Sequence, residues 1–191
     1  MEAGVRLAAT IICAIACLVL VLAERTHHRA RYVAKPVASL AFIAVGLHAP
    51  PVILAGLVLG AIGDAALLFD RGFLPGLVAF LAGHIAYAVA FPPHGAWVAA
   101  PALGGLTALV WLWPHLGSMR VPVIAYIAAI VAMVGGALAT GNGILKVGAI
   151  AFFASDLSVA RDRFVEKTWI NRAWGLPAYY AGQLLIAWAT S

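Results

Sequence analysis

The sequence predicts an all-α integral membrane bundle of eight transmembrane helices. Of its 191 residues, 64% are hydrophobic and only 10% are charged, whereas soluble domains carry charge on about a quarter of their residues. Apolar runs close to the ~20 residues of a transmembrane helix follow one another along the whole chain. Lipid, rather than water, is the solvent that explains this composition. The 19 glycines also suit helices that pack closely in a bilayer.

The apolar runs predict spans over residues 4–23, 34–49, 51–69, 73–92, 95–113, 120–140, 143–161 and 175–190. Proline and glycine clusters predict tight turns at Pro50-Pro51, Pro92-Pro93 and Gly141-Asn142-Gly143. No stretch resembles a linker or a soluble domain, so we expect one transmembrane domain over residues 1–191. The first run is expected to stay as a span, because its basic residues mainly follow it, the reverse of a secretory signal.

Lysine and arginine occur in alternate connections between the predicted spans. The first, third, fifth and seventh connections carry them, and the second, fourth and sixth have none. The positive-inside rule therefore makes the odd connections cytoplasmic and leaves both termini outside. The same pattern accounts for the formal charge of +5 without a basic stripe, so we expect no nucleic acid partner.

The halves 1–94 and 95–191 share a short pattern. Asp64 lies six residues before Asp70, and Asp156 lies six residues before Asp162. Four spans separate the paired positions, so a duplication predicts a parallel 4+4 repeat with Asp64 and Asp156 facing each other near a central axis. Chance similarity between alanine- and glycine-rich spans remains the alternative.

Ionisable groups inside the spans are the site candidates, because hydrocarbon makes them costly. At 1.5 Å per residue, Asp64 and Asp156 are each expected roughly 8–9 Å inside the cytoplasmic boundary. Lys35, His84 and Tyr180 fall in the same half of the bilayer. A cavity that opens to the cytoplasm or the inner leaflet would explain this common depth.

The other polar groups also have structural explanations. Lys35 can extend to the interface, and Tyr180 can belong to an aromatic belt. His84 and Gln183 can link helices by hydrogen bonds. The two aspartates favour a functional explanation, because a buried structural carboxylate needs an excellent partner to offset its desolvation.

Two carboxylates in one low-dielectric site do not easily both ionise, which leaves an acid beside a base. Such a pair can protonate a substrate while its partner stabilises a cation or activates water, as in glycosidases. Metal binding by Asp64, His84 and Asp156 is a weaker hypothesis, because the chain has no HExxH motif and no Cys/His cluster. We expect no metal and no cofactor.

Five spans carry short polar motifs in a fixed order: Lys35-Pro36, Gly63-Asp64 with Leu67, Gly83-His84 with Tyr87, Ser155-Asp156 with Ala160, and Tyr180 with Gln183. Together they resemble the motifs of the lysoplasmalogenases, the YhhN-like family of eight-span membrane proteins. The resemblance covers nearly the whole chain, and order, spacing and span number all agree.

The resemblance implies hydrolysis of the vinyl ether bond of a lysoplasmalogen to a fatty aldehyde and glycerophosphoethanolamine or glycerophosphocholine. It implies that Asp64 and Asp156 are the acid and the base, in an order that the sequence does not assign. Lys35 is expected to pair with the substrate phosphate as a point charge. The remaining motif residues are expected to orient water or contact the substrate: His84, Tyr87, Ser155, Tyr180 and Gln183.

A proton-coupled transporter of a small molecule or lipid is the alternative, because carriers also combine parallel repeats with acids inside spans. A transporter needs a path through the outer half, where only His48 and Lys146 are candidate lining groups. The expected partners are a lysophospholipid and membrane lipid, and the expected location is the cell membrane with the site toward the cytoplasmic half. The sequence does not give headgroup preference, chain length or oligomeric state.

Overall fold

The computed structural model describes residues 2–191 and contains eight α-helices. They are α1 (Glu2–Thr26), α2 (Arg31–Val45), α3 (Pro51–Ala66), α4 (Phe73–Ala90), α5 (Ala99–Leu112), α6 (Arg120–Ala139), α7 (Gly143–Ala160) and α8 (Trp169–Thr190). A π-helical segment, Arg161–Val165, continues α7. Residues 2–191 contain no β-strand, and the all-α prediction is confirmed.

Five stretches of the described chain are long and apolar enough to cross a membrane: Ala3–Thr26, Phe73–Ala90, Gly95–His115, Gly117–Ala139 and Gly143–Val165. The apolar helix α3 is shorter. Large apolar side chains cover the outside of the bundle, as at Leu40 and Val121, which are 65% and 76% exposed. An apolar surface of this kind is solvated by lipid, and the chain is an integral membrane protein.

Glycine allows the closest helix pair, α7 and α8, to approach backbone to backbone. A Cβ on Gly182 would lie 3.0 Å from the carbonyl oxygen of Gly148 and 3.0 Å from the amide nitrogen of Phe152. Few side chains fit in such a gap, so the two helices pack through small residues, as membrane helices commonly do. This contact fixes α8 beside the α7 segment that carries Asp156.

The core of the bundle joins residues from both halves of the chain. Its fully buried large side chains come from every α-helix except α5, and they include Leu20, Phe42, Leu57, Tyr87, Met133, Phe152, Tyr180 and Ile186. Helix α5 contributes none of the buried residues of this core and packs against α6. The cavity described below lies between these helices.

Helix α8 begins six residues earlier than the sequence predicted, at Trp169 rather than at residue 175. Side-chain hydrogen bonds hold its polar first turn. Asn171 donates to the carbonyl oxygen of Glu166 at 2.7 Å, and Arg161 donates to the Asn171 side-chain oxygen at 2.5 Å. Hydropathy placed the start of this span too late, because these polar residues bind one another inside the fold.

Candidate active site

A cavity of about 480 Å³ lies between the helices, in the size range of small-molecule sites. Asp64 and Asp156 both line it. Charged side chains from helix ends and connections surround its mouth, including Arg31, Asp70, Asp162, Arg163, Lys167 and Arg172. Apolar side chains line its interior, including Leu77, Phe80, Leu112, Ile127, Ile130 and Phe153. The cavity is therefore amphiphilic, with charge at one end and hydrocarbon at the other.

Asp64 lies near the end of α3 and is surrounded by hydrogen-bond donors. The Nζ atom of Lys35 is 3.6 Å from its Oδ1 atom. The hydroxyl oxygens of Ser39 and Tyr180 are 2.7 Å and 3.4 Å from Oδ2. Lys35 and Ser39 lie one turn apart on α2, so both face α3. The Asp64 carboxylate is almost fully buried and is held by α2 and α8.

Asp156 has different partners. His84 Nε2 lies 3.1 Å from Asp156 Oδ2, and the Tyr126 hydroxyl donates to Oδ1 at 3.0 Å. The other ring nitrogen of His84, Nδ1, lies 2.7 Å from the carbonyl oxygen of Phe80 in the same helix. The imidazole packs against the rings of Tyr126 and Phe152, with centroids 5.2 Å and 4.5 Å away. Asp156 is thus held by α4 and α6.

The two aspartates share one cavity but not one hydrogen bond. Within residues 2–191, Asp64 contacts side chains of α2 and α8, and Asp156 contacts side chains of α4 and α6. Neither carboxylate is hydrogen-bonded to the other in this described part of the chain. The two aspartates therefore lie in different electrostatic environments, although their side chains are identical.

Two of the predicted site residues lie behind the cavity wall. The Tyr87 hydroxyl donates to Gln183 Oε1 at 2.7 Å, and Gln183 Nε2 donates to the Tyr179 hydroxyl at 3.3 Å. Tyr87 and Gln183 are fully buried and absent from the lining, whereas Tyr179 lines the cavity. Tyr87 and Gln183 connect α4 to α8 and hold the Tyr179 ring.

Ser155 and Tyr180 occupy intermediate positions. Ser155 lines the cavity, but its hydroxyl donates to the Phe152 carbonyl oxygen of its own helix at 2.7 Å. Tyr180 reaches Asp64 from outside the lining. Neither residue presents an unbonded hydroxyl to the cavity.

Sequence reasoning missed Ser39 and Tyr126. Ser39 lies four residues after Lys35, the spacing that puts two side chains on one helix face. Tyr126 is the only tyrosine of the predicted sixth span. Both were detectable as polar groups in apolar runs, but neither carries a formal charge to attract attention.

The mouth combines paired and unpaired charges. Arg172 donates to Glu24 at 2.6 Å and to Asp162 at 3.3 Å. The guanidinium of Arg163 instead lies 4.3 Å from the centroid of the Phe73 ring. Across the described residues, neither Arg163 nor Lys167 forms an ion pair with a carboxylate. These two cations are available to a negatively charged ligand.

No group of three or more His, Cys, Asp or Glu side chains suited to a metal occurs among residues 2–191. His84 and Asp156 meet, but Asp64 has Lys35, Ser39 and Tyr180 as its partners. The three residues considered for a metal therefore do not share one centre.

The fold and the site define an all-helical integral membrane protein with two buried aspartates on one amphiphilic cavity. The YhhN family model matches residues 5–190, and the chain belongs to the YhhN family. The resemblance inferred from the polar motifs is thereby confirmed.

Several curated relatives carry the name lysoplasmalogenase. One from Mycobacterium tuberculosis (strain CDC 1551 / Oshkosh) is 36% identical over 151 residues, covering 68% of this chain and 56% of the relative. Human lysoplasmalogenase TMEM86B is 36% identical over 140 residues, covering 68% and 59%. Bovine lysoplasmalogenase TMEM86A is 34% identical over 152 residues, covering 71% and 63%.

The matched regions cover 56% to 63% of the length of these three relatives. No solved structure matches the chain significantly.

Proposed function

We propose that the protein is a membrane-embedded hydrolase that cleaves the vinyl ether bond of lysoplasmalogens. The products are a fatty aldehyde and glycerophosphoethanolamine or glycerophosphocholine. The observation that carries the proposal is the position of Asp64 and Asp156 on one amphiphilic cavity, with a cation beside one and an imidazole beside the other. The names of the relatives support the same substrate class.

Vinyl ether hydrolysis needs the groups that this cavity contains. The bond breaks after a proton is added to its β-carbon, which gives an oxocarbenium ion that water captures. An acid must supply the proton, and a carboxylate must stabilise the cation and accept a proton from water. Asp64 and Asp156 are proposed for these roles, and the reaction needs no redox cofactor.

The amphiphilic cavity suits a single-chain lipid. We assign the hydrocarbon chain to the apolar interior and the phosphate to the mouth. Lys35 was expected to bind the phosphate, but its charge is balanced by Asp64 at 3.6 Å. Arg163 and Lys167 lack such a partner in the described chain, so they are the better phosphate ligands. Lys35 then acts on Asp64 instead.

The topology proposal comprises eight spans, both termini outside and a cavity mouth facing the cytoplasm. Its support is the cluster of basic residues around the mouth, which the positive-inside rule assigns to the cytoplasmic side. A parallel 4+4 repeat is supported by matching contacts. Asp64 of α3 binds α2 and α8, and Asp156 of α7 binds the corresponding helices α6 and α4.

The proposal is tested with the full chain purified in detergent and given lysoplasmenylethanolamine. We expect fatty aldehyde and glycerophosphoethanolamine in equal amounts, and no cleavage of the matched lysolipid with a saturated ether chain. Asp64→Asn and Asp156→Asn are each expected to lower the rate at least ~10²-fold. Full activity in either variant, or equal cleavage of the saturated ether, would refute the proposal.

A further inference from the structure

We infer that the proton for cleavage is held between Asp156 and His84, and that Asp64 is the ionised carboxylate. This inference rests on the proposed function for its catalytic meaning, but the position of the proton can be measured without any turnover. It assigns the acid and the base, which the sequence left open, and it gives His84 and Tyr126 defined tasks.

His84 Nδ1 is hydrogen-bonded to the backbone of its own helix. This atom lies 2.7 Å from the Phe80 carbonyl oxygen, which has no hydrogen to donate. Nδ1 must therefore carry a hydrogen and donate it, since two lone pairs facing each other in a fully buried place would leave both acceptors unsatisfied. The backbone of α4 thus fixes the histidine tautomer.

The tautomer determines the role of the other ring nitrogen, Nε2. If Nδ1 carries the only ring hydrogen, Nε2 is an acceptor, and the Asp156 oxygen 3.1 Å away must be protonated to donate to it. If Nε2 also carries a hydrogen, the ring is an imidazolium and Asp156 is a carboxylate. Either way, one transferable proton lies between Nε2 and Oδ2. Asp156 and His84 form an acid as a pair.

Asp64 has the opposite surroundings. Lys35 can only donate, and its ammonium group lies 3.6 Å from Oδ1. The hydroxyls of Ser39 and Tyr180 lie within hydrogen-bond distance of both Oδ2 and the Lys35 carbonyl oxygen, and each has one hydrogen to donate. The ammonium group stabilises a charged carboxylate and both hydroxyls can donate to it, so we assign Asp64 as the ionised member of the dyad.

Exposure separates the catalytic group from the groups that position it. Asp156 lines the cavity with 12% of its side chain exposed, whereas the His84 side chain is fully buried. The proton therefore reaches the substrate from Asp156, and His84 acts through it. Tyr126 donates to Oδ1 and so directs the proton to Oδ2, which makes Tyr126 a second positioning residue.

The cycle balances in protons. Asp156 gives its proton to the β-carbon and becomes a carboxylate, and the substrate becomes an oxocarbenium ion. Water adds to the cationic carbon and gives one proton to Asp64. The addition converts the oxocarbenium ion into a hemiacetal. As the carbon–oxygen bond to glycerol breaks, protonated Asp64 returns its proton to the leaving oxygen, and the hemiacetal hydroxyl returns one to Asp156. Aldehyde and alcohol leave, and both aspartates are restored.

Other titratable groups surround the pair. Tyr126 donates to Asp156 directly, and Asp64, Lys35 and Tyr179 line the same cavity. Unperturbed tyrosine and lysine titrate near pH 10. The origin of each fall of the rate with pH is therefore tested with variants of Asp64 and of His84.

The first test locates the proton by NMR of the full chain labelled with ¹⁵N-histidine. His84→Gln identifies the His84 signals among the six histidines. We expect Nδ1 to carry a hydrogen throughout the pH range in which the protein is folded, and Asp156→Asn to change the Nε2 signal. Asp64→Asn is the matched control and should leave it unchanged. A neutral ring with hydrogen on Nε2 and a bare Nδ1 would overturn the inference.

The second test is the pH profile of kcat/KM. The wild type should lose activity at high pH and at low pH, because the reaction needs one protonated acid and one ionised carboxylate. His84→Gln keeps a polar amide but no titratable ring, so kcat/KM should fall ~10²-fold and the alkaline fall should change its position. The residual activity of Asp64→Asn should show no acid fall but should keep the alkaline one. An unchanged alkaline fall in His84→Gln contradicts the assignment.

The two tests separate the possible failures. Absence of aldehyde release by the wild type would refute the proposed function, while the NMR result would still decide where the proton lies. Aldehyde release together with an Nε2–H neutral ring would keep the function and reverse the assignment of acid and base.

Discussion

His84 Nε2 lies 3.1 Å from Asp156 Oδ2, and the residues that meet there are 72 positions apart in the chain. The contact joins α4 to α7 beside the cavity that Asp64 also lines. Each aspartate consequently has a distinct partner, an imidazole for Asp156 and an ammonium group for Asp64. This difference allows two chemically identical side chains to take different roles.

Tyr126→Phe should lower kcat/KM by about 10-fold, because a hydrogen bond to a charged or partly charged carboxyl group contributes about 1.5–3 kcal/mol. The ring that packs on His84 remains, so the melting temperature should change little. Steady-state kinetics and thermal unfolding in detergent measure the two effects. Tyr32→Phe, at a half-exposed tyrosine outside the site, is the matched control. Full activity in Tyr126→Phe would show that the Tyr126 hydroxyl does not contribute to catalysis.

Lys35→Met should destabilise the protein by about 3 kcal/mol, because it leaves the Asp64 carboxylate buried without its cation. The double variant Lys35→Met/Asp64→Asn should recover most of this stability but no activity. Thermal unfolding measures the stability of each variant, and aldehyde release measures its activity. If the single and double variants were equally unstable, the ion pair would not be the reason for the loss.

Gln183→Leu should lower stability by about 1–3 kcal/mol, since it leaves the buried Tyr87 hydroxyl without its acceptor. It should also reduce kcat modestly by releasing the Tyr179 ring that lines the cavity. The double variant Gln183→Leu/Tyr87→Phe removes the orphaned hydroxyl and should be more stable than Gln183→Leu. Equal stability of the two variants would contradict the proposed link between α4 and α8.

Arg163→Gln and Lys167→Gln should each raise KM several-fold with little change in kcat, because they bind the phosphate and not the reacting bond. A 1-alkenyl glycerol that lacks the phosphate should show no such change. Arg29→Gln removes an exposed charge that does not line the cavity and serves as the control. An equal rise in KM with the phosphate-free substrate would show that these residues maintain the structure of the cavity mouth and do not bind phosphate.

The sequence predicted the helices well because their signal is local. Apolar runs and loop charges indicated where α1 to α7 lie. The free-energy cost of an ionisable group in hydrocarbon identified Asp64 and Asp156 as site candidates, and both line the cavity. The sequence placed the start of α8 too late because the polar turn around Asn171 is compensated by Arg161 and Glu166. Such compensation is a property of the folded chain.

The partners of the site residues were beyond the reach of sequence patterns. Lys35, which was predicted to bind the phosphate, lies beside Asp64, and Gln183, which was predicted to contact the substrate, binds Tyr87 and Tyr179. These contacts depend on which helix faces meet across the bundle. Periodicity in an alanine- and glycine-rich span does not encode that choice, because nearly every face of such a helix is apolar.

Deuterium incorporation during lysoplasmalogen cleavage tests most directly the claim that Asp156 protonates carbon in a vinyl ether. The reaction is run in D₂O, the aldehyde is reduced at once to the alcohol to stop exchange, and the product is analysed by mass spectrometry. One deuterium on the carbon next to the former aldehyde carbon is predicted, beyond that of authentic aldehyde treated in the same way. Aldehyde without this deuterium would contradict protonation at carbon and with it the proposed role of the two aspartates.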